Sequence, residues 1–322
     1  MRVMITGAAG FLGTALTRSL IRAGRLAPAG APEPISDLLL VDRQPVAVPA
    51  DAPLPVRTLA GDVADPAFTA KLAAQGCDSI FHLAASLTLQ AEQDHEQAYA
   101  TNVAPVRQLI ECAARPPRFV FASSIAVFGG VLPEMVDDSV RAEPDTTYGT
   151  HKAMVELLLA NYSRLGKADG RALRLPIVLI RPGAASPAVS DRVAAIVREP
   201  LAGQDTVVGL APGTRIPVAS ADAVAQALLR LHDVPAEQLP HGRAMNLPAL
   251  TVSIGDMVDS MRRRGAGRPL GQVRYQPDAA LQRIVDSWPK GFVSRHAQGL
   301  GLRADADFDA IIDQYLAHDQ AG

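Results

Sequence analysis

Tyr148 and Lys152 are the residues of this 322-residue chain whose types and spacing suggest chemistry most directly. Four apart, they lie on one face of a helix, one turn from each other. A phenol with its ordinary pKa near ~10 is a poor base at neutral pH. An ammonium held beside it favours the phenolate, and a shift of ~3 units corresponds to roughly 4 kcal/mol. Tyr148 would then exchange a proton with a substrate hydroxyl or carbonyl near neutral pH. The same spacing is common on solvated helix faces, so the elements that position the pair decide its meaning.

Composition sets the bounds. With 48% hydrophobic residues over its length, the chain can bury a large core in one big domain or two. A net charge of −2 gives no reason to expect nucleic acid or an anionic membrane as partner. The run Arg262-Arg263-Arg264 reads as a solvated helix end, and no apolar run approaches the ~20 residues that span a bilayer. The N-terminus runs straight into a strand pattern without a signal segment. Cys77 and Cys112 form neither a metal spacing nor a disulfide framework. Both are expected to be buried, in a reducing, cytoplasmic setting, and no metal site is expected.

Residues 2–6 read as a buried strand that runs at once into Gly7-Ala8-Ala9-Gly10-Phe11-Leu12-Gly13. Glycines permit a tight turn and close approach of a pyrophosphate, which then sits on the N-terminus of the next helix. That helix carries Leu12, Leu16, Leu20 and Ile21 on one face. Residues 24–37 form an irregular insertion, and Leu38–Val41 make a second strand ending at Asp42. An acid there accepts from both ribose hydroxyls and repels a 2′-phosphate, favouring NAD over NADP. A plain loop aspartate is the alternative, and Arg43 keeps NADP open.

A third strand near Val56–Leu59 precedes Asp62, which could accept from an adenine amino group or cap the helix near 66–75. Residues 79–85 give a fourth strand with Ala84 where backbone must approach the cofactor; His82 reads as a packed strand-end histidine. A helix over 96–114 carries Asn102, and a fifth strand, 119–124, ends in two serines. Leu173–Ile180 gives a sixth strand broken by Pro176. Alternating strands and helices over residues 1–182 predict an α/β, doubly wound parallel sheet with its ligand edge at the strand carboxyl ends. Residues 183–322 read as a smaller mixed cap for substrate, with helices near 190–200, 221–232, 254–264 and 306–317. Strands at 215–218 and 244–247 are expected to return to the first domain.

With the glycine turn, Asp42, Ser124, Tyr148 and Lys152 in order, the chain resembles an extended short-chain dehydrogenase/reductase. Residues 6–13 look like that family's nucleotide turn, and Ser123-Ser124-Ile125-Ala126-Val127-Phe128-Gly129 is similar to its serine strand, with Phe128 where Tyr is frequent. Counted back from Gly129, the family's catalytic serine falls on Ser124. The strings RFVFASSIAVFGG (118–130), GRALRLPIVLIRPG (170–183), REPLAGQD (198–205), RAMNLPALTVSIGDMV (243–258) and RIVDSWP (283–289) resemble the D-erythronate dehydrogenase branch. The segments at 86–96 and 183–190 depart from that branch, and both should line the substrate pocket.

The resemblance implies a Rossmann fold and NAD-dependent oxidation of a C4 sugar acid at its C2 hydroxyl. Tyr148 would be the proton acceptor, Lys152 its partner and a holder of the nicotinamide ribose, and Ser124 a hydrogen-bond donor to the reacting oxygen. Gly7, Gly10, Phe11, Leu12, Gly13, Asp42, Asp62, Val63, Leu83, Ala84, Ala85, Asn102 and Val178 would surround NAD. Ser86, Thr88 and Arg215 would meet substrate, the arginine gripping a carboxylate; a structural arginine paired with an acid is the alternative. A homodimer is also expected: helices at 96–114 and 148–165 would keep an outer face free, where Cys112, Ala113, Leu157, Leu158 and Tyr162 could meet a second subunit, and the resemblance implies a four-helix interface; the alternative is that these residues face their own core. An epimerase or dehydratase that retains NAD uses the same catalytic residues, and a non-catalytic NAD-binding protein on this fold is a remoter reading.

Overall fold

The computed structural model describes residues 1–28, 30–48, 52–180 and 189–319. The first strand, β1 (Arg2–Thr6), is buried from Val3 onward. Its side chains alternate between two cores: Val3 and Ile5 face one, Met4 the other. Burial on both faces requires a central position and helices above and below. The chain supplies them in turn: α1 (Phe11–Ala23), β2 (Asp37–Asp42), β3 (Val56–Ala60), α2 (Pro66–Ala73) and β4 (Ser79–His82). Three helices follow, α3 (Thr88–Gln93), α4 (His95–Asn102) and α5 (Ala104–Glu111), then β5 (Arg118–Ser124), α6 (Thr147–Arg164) and β6 (Asp169–Leu175).

Beyond Pro176 come β7 (Ile177–Leu179), α7 (Val189–Leu201), β8 (Arg215–Ser220), α8 (Ala221–Asp233), β9 (Ala244–Asn246), β10 (Leu250–Ser253) and α9 (Ile254–Arg264). Seven parallel strands form the main sheet in the order β9-β6-β5-β4-β1-β2-β3. The order reverses between β1 and β4, which opens a crevice at their carboxyl ends where such sheets take a dinucleotide. One face is covered by α1 and α8, which pack on each other, and the other by α2, α5 and α6. Each large apolar side chain buried there contributes roughly 1.5–3 kcal/mol.

Several expectations are corrected here. The helix expected over 96–114 is two helices, because Pro105 in the first turn of α5 cannot donate back into α4. The strand expected over 173–180 divides at Pro176: β6 stays in the main sheet while β7 joins β8 and β10 in a three-stranded sheet. Of the two strands expected to return, β9 completes the main sheet beside β6, whereas β8 stays in the smaller sheet. The helix after β8, α8, nevertheless packs on α1, so the two halves interleave. A third core lies under the smaller sheet, where α7, α9 and the helix Phe308–Asp319 bring together Val193, Val197, Met257, Met261, Ile311 and Ile312. Cys77 is buried as expected, but Cys112, at the exposed end of α5, is open to solvent.

Candidate active site

The turn after β1 is built by backbone approach. Gly7 has φ +78°, and a Cβ there would lie 2.7 Å from the Ala84 nitrogen at the end of β4. Both conditions require glycine. Downstream, α1 begins at Gly10 with no side-chain cap and no acid in its first turn. Its first amides are thus left for an anion, as a pyrophosphate requires. Asp42 ends β2 beside this turn: Ala9 N–H donates to its Oδ2 at 3.0 Å and Gln44 N–H to its Oδ1 at 3.0 Å. These contacts fix the carboxylate at the mouth of the crevice, where a ribose would lie.

Asp62 does not cap α2. Asp65 does, accepting from Ala67 N–H, while Asp62 accepts from Ala64 N–H at 2.9 Å and faces Arg43 at 3.6 Å. Val63 is buried in the core beneath α2. Arg43 is therefore already paired with an acid. Leu83, Ala84 and Ala85 follow β4, and Val178 lies in β7 against the core shared by α1 and α8.

Helix α6 is capped by Thr146, whose hydroxyl accepts from Gly149 N–H at 3.0 Å. A Cβ on Gly149 would lie 1.9 Å from the Ala126 carbonyl oxygen, so glycine lets the helix press onto the turn that follows Ser124. In that turn Ser124 Oγ accepts from Ala126 N–H at 3.1 Å. Tyr148 is brought beside Ser124: burial pushes its phenol up to about 12, and a hydrogen bond with Ser124 acts the other way. Lys152 is buried, donates to the Ala122 carbonyl at 2.7 Å, and lies 4.5 Å from the Phe121 ring centre and 5.4 Å from that of Tyr148. Burial brings its ammonium down to about 7, opposed by Glu156. In the protein as it stands, burial is the first cause of both shifts, and both favour the neutral side chains.

Asn102 holds the segment after β4. Its Oδ1 accepts from Ser86 N–H at 2.8 Å and its Nδ2 donates to the Ser86 carbonyl at 3.2 Å. Its amide therefore positions Ser86, and Thr88 opens α3 two residues on. Arg215 begins β8 half-exposed and is paired with Glu134. The expected pocket-lining residues 183–188 lie outside the described residues. His82 is fully buried, with Nδ1 2.8 Å from Thr6 Oγ1, and burial holds it down at about 3.

Behind the tyrosine and lysine lies a buried group that the motif reading missed. Ser123 Oγ donates to Glu156 Oε1 at 2.6 Å, and Arg174 donates to both Glu156 oxygens, at 3.0 and 2.8 Å. A signal was present, since Glu156 continues the four-residue spacing of Tyr148 and Lys152.

Fold and site together define a Rossmann oxidoreductase of the short-chain dehydrogenase/reductase class. The profile of the NAD dependent epimerase/dehydratase family matches residues 3–247, and the chain belongs to that family. A D-erythronate dehydrogenase of Cupriavidus necator is 38% identical over 319 residues, 98% of each chain. A second D-erythronate dehydrogenase, from Haemophilus influenzae, is 35% identical over 99% of this chain and 100% of its own. Among solved structures, the nucleoside-diphosphate-sugar epimerase from Agrobacterium tumefaciens superposes with a TM-score of 0.92 at 33% identity, covering 100% of this chain and 95% of that one.

Proposed function

We propose that this chain is an NAD-dependent dehydrogenase that oxidises the C2 hydroxyl of a small sugar acid, with D-erythronate as substrate. One observation carries the reading: Ser124, Tyr148 and Lys152 come together at the end of β5, in the same parallel sheet whose β1 and β2 end at the glycine turn and Asp42. The full-length relatives named for that activity support the choice of substrate. NAD, when bound, supplies the two-electron acceptor. Tyr148 accepts the hydroxyl proton, Ser124 donates to the same oxygen as charge develops, and Lys152 stabilises the phenolate and holds the nicotinamide ribose. Gly7, Gly10, Gly13 and the first amides of α1 hold the pyrophosphate; Asp42 holds the adenosine ribose.

Residues 1–182 form the cofactor half in this reading, and most of 183–322 the substrate cap. Ser86 and Thr88 face the substrate hydroxyls, and a substrate carboxylate takes the place of Glu134 on the Arg215 guanidinium. The protein works in the cytoplasm, in line with two unpaired cysteines and with no described helix long and apolar enough to cross a membrane. A homodimer forms through α4 and α6, where Leu157 is 73% exposed and Tyr99 and Met154 are also open. Tyr162 takes no part, because it is buried with its hydroxyl on Glu111.

The family's description and the Agrobacterium structure favour a second reading, an epimerase or dehydratase that reoxidises its own cofactor. A panel of C3 to C6 sugar acids, neutral analogues and nucleotide sugars separates the two. Net NADH release with an acid supports the dehydrogenase. Conversion of a substrate without NADH release, by protein that keeps NAD through purification, supports the epimerase.

A further inference from the structure

Three side chains at four-residue intervals on α6 meet three consecutive residues of β5. Tyr148 meets Ser124, Lys152 donates to the Ala122 carbonyl, and Glu156 accepts from Ser123. The last contact is clamped from the next strand, where Arg174 stands in register with Ser123 and grips both Glu156 oxygens. Glu156 and Arg174 are 5% and 9% exposed. A buried ion pair adds little net stability compared with apolar packing, so its value lies in the geometry it fixes.

We infer that Glu156, clamped by Arg174, is a positioning residue that sets the height of α6 over the strand ending in Ser124. Resting on the dehydrogenase reading above, this means that the Tyr148 oxygen and Ser124 reach one substrate atom only while the Glu156 contact holds. Glu156 also places a fixed negative charge one turn from Lys152. The other titratable groups near that ammonium are Tyr148 on α6 and His82 on β4, the latter neutral in its burial; Arg174 on β6 lies beyond Glu156.

Ser123→Ala, Glu156→Gln and the double variant test the inference. Turnover per NAD-binding site should fall roughly tenfold to a hundredfold in Glu156→Gln and less in Ser123→Ala. NAD affinity and KM should stay within about twofold in both, and the double variant should match Glu156→Gln alone because one contact is lost in either case. Lysine-selective NMR should show Lys152 titrating at lower pH in Glu156→Gln and unmoved in Ser123→Ala. Lower thermal stability with unchanged turnover per NAD site would overturn the inference, as would losses that multiply. Should Glu156→Gln fail to fold, unchanged turnover in Ser123→Ala overturns it equally. If wild-type protein oxidises no acid, the dehydrogenase reading fails instead, and an unmoved Lys152 titration then overturns this inference separately.

Discussion

Lys152 and Tyr148 face each other across 5.4 Å, measured from the ammonium nitrogen to the ring centre, with the ammonium also hydrogen-bonded to the Ala122 carbonyl. Burial pushes the two pKa values in opposite directions, the phenol to about 12 and the ammonium to about 7. Both shifts favour the neutral forms. A positive charge arriving beside the pair would favour phenolate over phenol, so the proton acceptor is expected to be activated on cofactor binding rather than in the free protein.

Lys152→Met should therefore cost more than a contact. It removes the amine beside the phenol, whose protonated form would stabilise the phenolate, and turnover is expected to fall by roughly 10²–10⁴, the range for losing acid–base assistance. Thermal stability should hold or rise, since an apolar chain replaces a charged group in an apolar setting. Turnover within about threefold of wild type would contradict the role assigned to Lys152.

Gly149→Ala tests how closely α6 must approach the turn after Ser124. With the Ala126 carbonyl oxygen 1.9 Å from the added Cβ, the helix must move or the turn must open. A loss of about 1–3 kcal/mol in stability is expected by denaturant unfolding, as for overpacking elsewhere. The folded remainder should bind NAD but turn over slowly. Wild-type stability and turnover would show that the approach is not needed.

Asp42→Ala should narrow the preference for NAD over NADP, because a 2′-phosphate would otherwise sit against the carboxylate fixed by Ala9 and Gln44. Steady-state kcat/KM with each cofactor measures it. Equal wild-type efficiency with both would shift the weight to Arg43, which in this structure faces Asp62.

His82 makes a pH-dependent contribution to stability. Its folded pKa of about 3 lies below the ordinary 6.5, so the unfolded chain binds a proton between those values while the folded protein does not. Stability is therefore lost as pH falls from 6.5 towards 3, approaching about 1.4 kcal/mol per pH unit from this one group. His82→Asn should flatten that slope in urea unfolding, even if it lowers stability at pH 7. Identical slopes would show that His82 does not titrate this way.

The sequence and the structure agree most where one residue type is physically required. Gly7 must have positive φ and touch Ala84, and β1, β2, β4 and β5 are buried on both faces, so their apolar runs stand out. Tyr148 and Lys152 were legible because a helix turns a spacing of four into adjacency. The contribution of burial was not legible, since the shifts of Tyr148 and Lys152 come from neighbours distant in sequence. Pro105 and Pro176 were visible, but where the chain goes after each depends on which partner strand or helix accepts it. The Glu156–Arg174 clamp needs β6 placed beside β5 before it can be seen.

In the proposed reaction Tyr148 takes the proton from a sugar-acid hydroxyl as NAD is reduced. NADH formation from D-erythronate and NAD, measured for wild type and Tyr148→Phe at equal NAD-site concentration, tests it most directly. Tyr148→Phe removes one oxygen; NADH formation is expected from wild type and a fall of roughly 10²–10⁴ in the variant, with NAD affinity little changed. Near-equal rates in the two proteins would contradict it.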